Sequence, residues 1–193
     1  MDWTLPHLPT LLSQVWTKLE EGCQDSDNPW HTPVLGTLNR NRPALRVMIL
    51  RAVEATARVL VCYSDNRASK VRQILSVPQV EWLFYDRVAG LHLRASGTAA
   101  IHHVNSVTQA AWKHKPVINH LQYLSPLAPG TGLPAAVPVA ESDLHETELA
   151  YRNFAVIVTV VNSFDLLIVG ATKDQRASFT WDGEKFVPQW MVP

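Results

Sequence analysis

Tyr63-Ser64-Asp65-Asn66-Arg67-Ala68-Ser69-Lys70 reads as a strand running out into the start of a helix. Arg58 to Tyr63 carries the β-branched and aromatic residues of a strand, and Ser64, Asp65 and Asn66 suit a helix cap. Val71, Ile74 and Leu75 then give one apolar face to a short helix beginning near Arg67. The stretch sets hydroxyls, an arginine and a lysine beside the free N–H groups and positive dipole end of that helix, which is how a phosphate site is built. Ser64, Arg67, Ser69 and Lys70 are the candidate donors, and Asp65 reads as the cap. The same residues also suit an ordinary capped helix with solvated basic side chains.

Working outward, a second basic pair lies upstream in Arg46-Val47-Met48-Ile49-Leu50-Arg51. Strand alternation sets Arg46, Met48 and Leu50 on one face and Val47, Ile49 and Arg51 on the other, so one arginine faces an otherwise apolar side. Such an arginine either holds a ligand, snorkels at a strand end or pairs with Glu54. Val34 to Leu38 and Ala44 to Leu50 form a hairpin about Asn39 to Pro43. Before it, Leu8, Leu11, Leu12, Val15, Trp16 and Leu19 recur at helical spacing, with Gly22 as the expected stop, predicting an N-terminal helix within about residues 1–22.

Downstream, Val80 to Tyr85 and Leu91 to Ile101 read as strands and Ser106 to Tyr123 as a helical stretch. A Pro/Gly-rich loop over about 125–142 is long enough to act as a lid or dimer arm. Strands return at Phe154 to Val161, Leu166 to Gly170, Ala177 to Trp181 and Lys185 to Met191, with turns at Asn162 to Asp165 and Asp182-Gly183. Many short strands with few helices predict a mainly β (α+β) chain, a single domain over 1–193, folded as a small barrel with peripheral helices.

At this point the motifs resemble those of the pyridoxamine 5′-phosphate oxidase family. Arg46 to Arg51 is similar to that family's Arg-x-Val-Leu-Leu-Lys strand, and Tyr63 to Lys70 to its Tyr-Thr-x-x-x-Ser-x-Lys turn into a helix. Leu91-His-Leu-Arg-Ala-Ser-Gly97 resembles the strand in which a glutamine approaches the flavin and a glycine ends the motif. The likeness covers about Thr32 to Ile101 and implies a homodimeric split β-barrel with FMN in a cleft between subunits. Carried over, it makes Arg46 and Lys70 the main phosphate ligands, with Arg51, Ser64, Arg67 and Ser69 around them. Tyr63 and the backbone of Val47, Met48, Ile49 and Leu50 would follow the ribityl chain and ring. His92 stands where the family has glutamine, as a ring-edge donor or as a core histidine.

The family's C-terminal Arg-Leu-His-Asp-Arg signature is Thr172-Lys-Asp-Gln-Arg176 here, so only Arg176 matches, as a contact to FMN or to the partner subunit. Thr172 and Asp174 replace the substrate-holding residues, which argues against pyridoxal formation. The implied function is an FMN-binding oxidoreductase with an unassigned substrate and no assigned catalytic residue. Alternatives on the same fold are a flavin carrier, a haem carrier with His102 or His120 as axial ligand, and a deazaflavin-dependent reductase.

Composition narrows the classes. Lysine plus arginine balance aspartate plus glutamate at 17 each, so no overall field draws the chain to nucleic acid or an anionic membrane. No apolar run approaches the roughly 20 residues of a membrane span, and the N-terminus lacks a basic signal-peptide region, which makes the cytoplasm the expected location. Cys23 and Cys62 read as free thiols. His102-His103 and His145-Glu-Thr-Glu148 lack metal-ligand spacing, and no metal is expected. GxGxxG, GxxxxGK[ST] and GxSxG motifs are all missing.

Overall fold

The computed structural model describes residue 3 and residues 7–113, 121–135, 147–170 and 173–193. An amphipathic helix, α1 (Leu8–Gln24), leads through a single 3₁₀ turn at Pro29–His31 into the hairpin β1 (Val34–Asn39) and β2 (Arg42–Val47). A short β3 (Ala52–Glu54) pairs with β4 (Val59–Asp65), and α2 (Ser69–Ser76) follows. Two strands, β5 (Gln79–Asp86) and β6 (Leu91–His103), precede α3 (Ser106–Lys113) and α4 (Thr147–Asn153). The chain ends with β7 (Phe154–Ile168), β8 (Gln175–Trp181) and β9 (Phe186–Met191). All pairings are antiparallel, in the order β2-β1-β5-β6-β7-β4-β3, with β8 and β9 continuing from β7.

The two longest strands split the barrel. Residues 154–160 of β7 pair with β4 and residues 163–168 with β8, while β6 runs along both halves. The Asn162-Ser-Phe-Asp165 quartet, expected as a turn, lies inside β7. Ser96 faces Ser163 and Gly97 faces Val161, so Asn162 is an extra residue, and its amide donates to Thr98 Oγ1 at 3.2 Å. A bulge bends the pair where a turn would have ended it. Gly97 sits at that bend, where a Cβ would come 2.4 Å from Val160 O.

The core lies between the sheet and α1. Leu11, Val15, Trp16 and Leu19 are its helix face, and Trp16 meets Phe164 edge-on at 5.0 Å. Trp30, Trp82, Phe84 and Phe179 are fully buried beside them. α1 runs past Gly22 to Gln24. That glycine serves close packing, because a Cβ there would lie 2.9 Å from Trp30 Cβ. A smaller cluster of Tyr123, Ala150, Phe154 and Val156, with Trp112 and Tyr63 packed on it, sits beside β4. The helix expected to reach Tyr123 is α3, ending at Lys113; residues 114–120, including His120, lie outside the described residues. So do residues 136–146, which hold His145 and much of the 125–142 loop, and Thr172.

Candidate functional site

Strand β2 ends at Val47, shorter than expected, because the next peptides change partners. Met48 N donates to Pro33 O at 2.8 Å, Leu50 N to His31 O at 2.9 Å and Arg51 N to Val61 O at 2.8 Å. Residues 48–51 thus cross from the β1 side of the barrel to the β4 side. Side-chain alternation persists across the crossing. Met48 and Leu50 are buried, Val47 and Ile49 are 64 % and 39 % exposed, and Arg46 is the arginine that faces inward.

Arg46 meets that apolar side through neutral acceptors. Nη1 donates to Leu35 O at 3.1 Å and Thr37 Oγ1 at 2.7 Å, and Nη2 donates to Gln73 Oε1 at 3.0 Å. Burial lowers its pKa from the ordinary arginine value. Arg51 lies 5.7 Å from the centre of the Tyr63 ring, a cation–π contact. Glu54, its alternative partner, accepts from Thr56 Oγ1 instead.

At the end of β4 the cap takes another form. Asp65 Oδ1 accepts from Arg67 N at 2.7 Å and Arg67 Nε at 3.1 Å, and Oδ2 accepts from Arg67 Nη2 at 2.7 Å. This is a turn ahead of the helix, since α2 begins at Ser69 with Ala68 as an N-cap lacking any side-chain bond. Arg67 is therefore committed to Asp65, whose hydrogen bond raises the arginine's pKa. Lys70 Nζ donates to Ser64 Oγ at 3.2 Å, and Ser64 Oγ donates to Asp65 O at 3.0 Å. Burial, and then the charge of Arg46, push the Lys70 pKa below its ordinary 10.5. Beneath them burial lifts the Cys62 thiol to about 12, so it stays protonated.

A cleft of about 290 Å³ opens over these groups. Val47, Met48 and Ile49 line one wall, and Arg51, Tyr63, Ser64, Asp65 and Lys70 line the floor. Gln122, Tyr123 and Pro129 contribute from the segment after α3, and sequence reasoning missed them because they share no motif with the rest. That segment is anchored to the site, with Asn66 N donating to Asn153 O at 2.7 Å and Asn153 Nδ2 to Tyr123 O at 2.7 Å. Asp65 is the one carboxylate among the described lining residues, and Arg67 already occupies it.

The remaining expected residues are not in the lining. Arg46 stands behind it, and Arg67 and Ser69 flank it. His92 and Arg176 lie elsewhere on the outer sheet face, on either side of Leu167 in one register row. His92 packs on Tyr85, with ring centres 4.7 Å apart, and Arg176 grips both oxygens of Asp165 at 2.9 and 2.7 Å. Arg94 joins the same carboxylate.

Residues 13–103 match the family model described as pyridoxamine 5′-phosphate oxidase, FMN-binding domain. The chain has the fold of the pyridoxamine 5′-phosphate oxidase-like split barrels. A pyridoxamine 5′-phosphate oxidase-related, FMN-binding protein from Nostoc punctiforme PCC 73102 superposes with a TM-score of 0.78 at 19% identity, over 94% of this chain and 96% of that one. PhzG from Burkholderia lata 383, solved with tetrahydrophenazine-1-carboxylic acid, gives 0.72 at 16% identity, over 98% and 95%. A protein related to general stress protein 26 from Clostridium acetobutylicum gives 0.57 at 11% identity, over 86% and 93%. No curated protein sequence matches the chain. Among the described residues of this split barrel, no helix is long and apolar enough to cross a membrane.

Proposed function

We propose that the chain binds FMN, with the phosphate at the Lys70 end of the cleft, and acts as an FMN-dependent oxidoreductase. The observation that carries this reading is that Arg46, Arg51 and Lys70 all have neutral partners, while the nearest carboxylate is spent on Arg67. Three cations beside a single carboxylate that already pairs with Arg67 are costly unless a further anion joins them. A phosphate dianion fits that donor set, with Lys70 and Ser64 as the direct ligands and Arg46 behind them. The exposed Val47 and Ile49 side chains offer an apolar margin for the isoalloxazine ring. Bound FMN supplies electron and hydride transfer, and the protein supplies binding, orientation and local polarity.

The site would be completed by a second copy of the chain. Leu45, Val47, Leu83 and Tyr85 leave an apolar strip exposed on the outer face that also carries His92 and Arg176. A two-fold pairing across this strip would cover it and add residues of the partner to an open cleft. The reading is tested by a visible spectrum of freshly purified protein, followed by chromatographic identification of the released chromophore. Released FMN is the expected result. A protein that is colourless and fails to quench added FMN would overturn it, and a haem spectrum would move the assignment to a tetrapyrrole carrier.

A further inference from the structure

Arg46 is held by side chains whose chemistry has a particular consequence. Thr37 Oγ1, which accepts from Nη1, donates in turn to Gln73 Oε1 at 2.6 Å, the same oxygen that accepts from Nη2. The three side chains close a ring, and Thr37 and Gln73 are only 4 % and 9 % exposed. Every member of the ring other than the guanidinium is neutral. A glutamate in place of Gln73 would accept the same bonds but would cancel the charge of Arg46. The amide oxygen fixes the guanidinium and leaves its unit charge available. Nε and the second Nη2 hydrogen have no partner among the described residues. Gln73 also lies three residues beyond Lys70 on α2, so one helix face carries both a cleft lysine and the amide that orients the arginine. Burial first, and then the charge of Arg46, lower the Lys70 pKa, in keeping with a guanidinium whose charge is not cancelled.

We propose that Gln73, assisted by Thr37, is a positioning residue that fixes Arg46 with its charge uncompensated, so that the site selects a phosphorylated flavin over its dephosphorylated form. The proposal rests on the FMN reading above and assigns the source of its phosphate preference.

The test uses the full chain as wild type, Gln73→Glu, Gln73→Met, Thr37→Val and Thr37→Ser. FMN and riboflavin affinities are measured by fluorescence quenching, and inorganic phosphate is titrated against the thermal midpoint. In Gln73→Glu the preference for FMN over riboflavin should fall by about tenfold or more, the scale of one lost charge-assisted contact. Riboflavin affinity and the ligand-free midpoint should hold, because the new carboxylate pairs with Arg46. Gln73→Met and Thr37→Val should lose part of the preference, and Thr37→Ser should restore it. A merely structural ring would lower both flavin affinities together, and that result overturns the proposal. So does a Gln73→Glu protein that keeps its preference for FMN and its response to phosphate. If wild type is stabilised by phosphate but binds neither flavin, and Gln73→Glu abolishes the phosphate effect, the positioning role stands and the FMN reading falls. A wild type that responds to neither phosphate nor FMN overturns both.

Discussion

Replacing Lys70 by methionine separates binding from folding. The ammonium is half-buried, donates one bond to Ser64 Oγ at 3.2 Å, and stands near the uncancelled charge of Arg46. In the free protein it is therefore a cost. Its pKa is depressed, so the fold disfavours the protonated form, and its penalty is present at neutral pH, is relieved as pH rises through the depressed pKa, and is gone by the ordinary 10.5. Lys70→Met should leave the ligand-free thermal midpoint at neutral pH unchanged or higher. FMN reverses the balance, because a phosphate dianion favours the ammonium. Losing a charge-assisted contact costs about 1.5–3 kcal/mol, or roughly 10- to 150-fold in FMN affinity. Riboflavin, lacking the phosphate, should bind the variant as it binds wild type. Wild-type FMN affinity should also weaken as pH climbs through the depressed Lys70 pKa, and the variant should lack that limb. Fluorescence-quenching titrations with both flavins across pH provide the assay. Equal losses for FMN and riboflavin, or an unchanged FMN affinity, would refute the placement of the phosphate at Lys70.

Three further outcomes follow from the fold. Gly97→Ala should destabilise the protein by about 1–3 kcal/mol or more, since its Cβ would meet Val160 O at 2.4 Å and Thr159 Cγ2 at 2.8 Å; chemical denaturation measures it, and an unchanged midpoint contradicts the close β6–β7 crossing. Trp16→Ala should cost about 3–5 kcal/mol by emptying the space between α1, Phe164 and Phe186, read from the same denaturation curves. Leu45→Glu with Leu83→Lys should convert a dimer into a folded monomer by light scattering and weaken flavin retention; a dimer of unaltered mass places the interface elsewhere.

Much of the cleft was legible because its chemistry is concentrated in two short motifs. Strand alternation alone assigned Arg46, Met48 and Leu50 to one face, and it held even where the backbone left the strand. Sequence pattern was less informative where polar residues serve the interior. Gln73 has no place in the apolar face read from Val71, Ile74 and Leu75, yet it is buried as the acceptor for Arg46, while Leu75, counted with that face, is 69 % exposed. Asn162 to Asp165 satisfies turn statistics as well as any loop, and only the register of β6 against β7 shows it to be a bulge. Gly22 carries no mark distinguishing a helix stop from a site of close packing. Arg67 had the composition of a phosphate ligand, but an aspartate two residues earlier in the chain claims it first.

The crossing at residues 48–51 has a kinetic side. Three amides, those of Met48, Leu50 and Arg51, tie this segment to His31, Pro33 and Val61, and the same segment forms a wall of the cleft. Breathing of the barrel at this seam would therefore move the cleft wall with it. A ligand that bridges the wall and the floor slows amide exchange at these three positions, and loosening the seam shortens the ligand's residence time without altering any group that touches it.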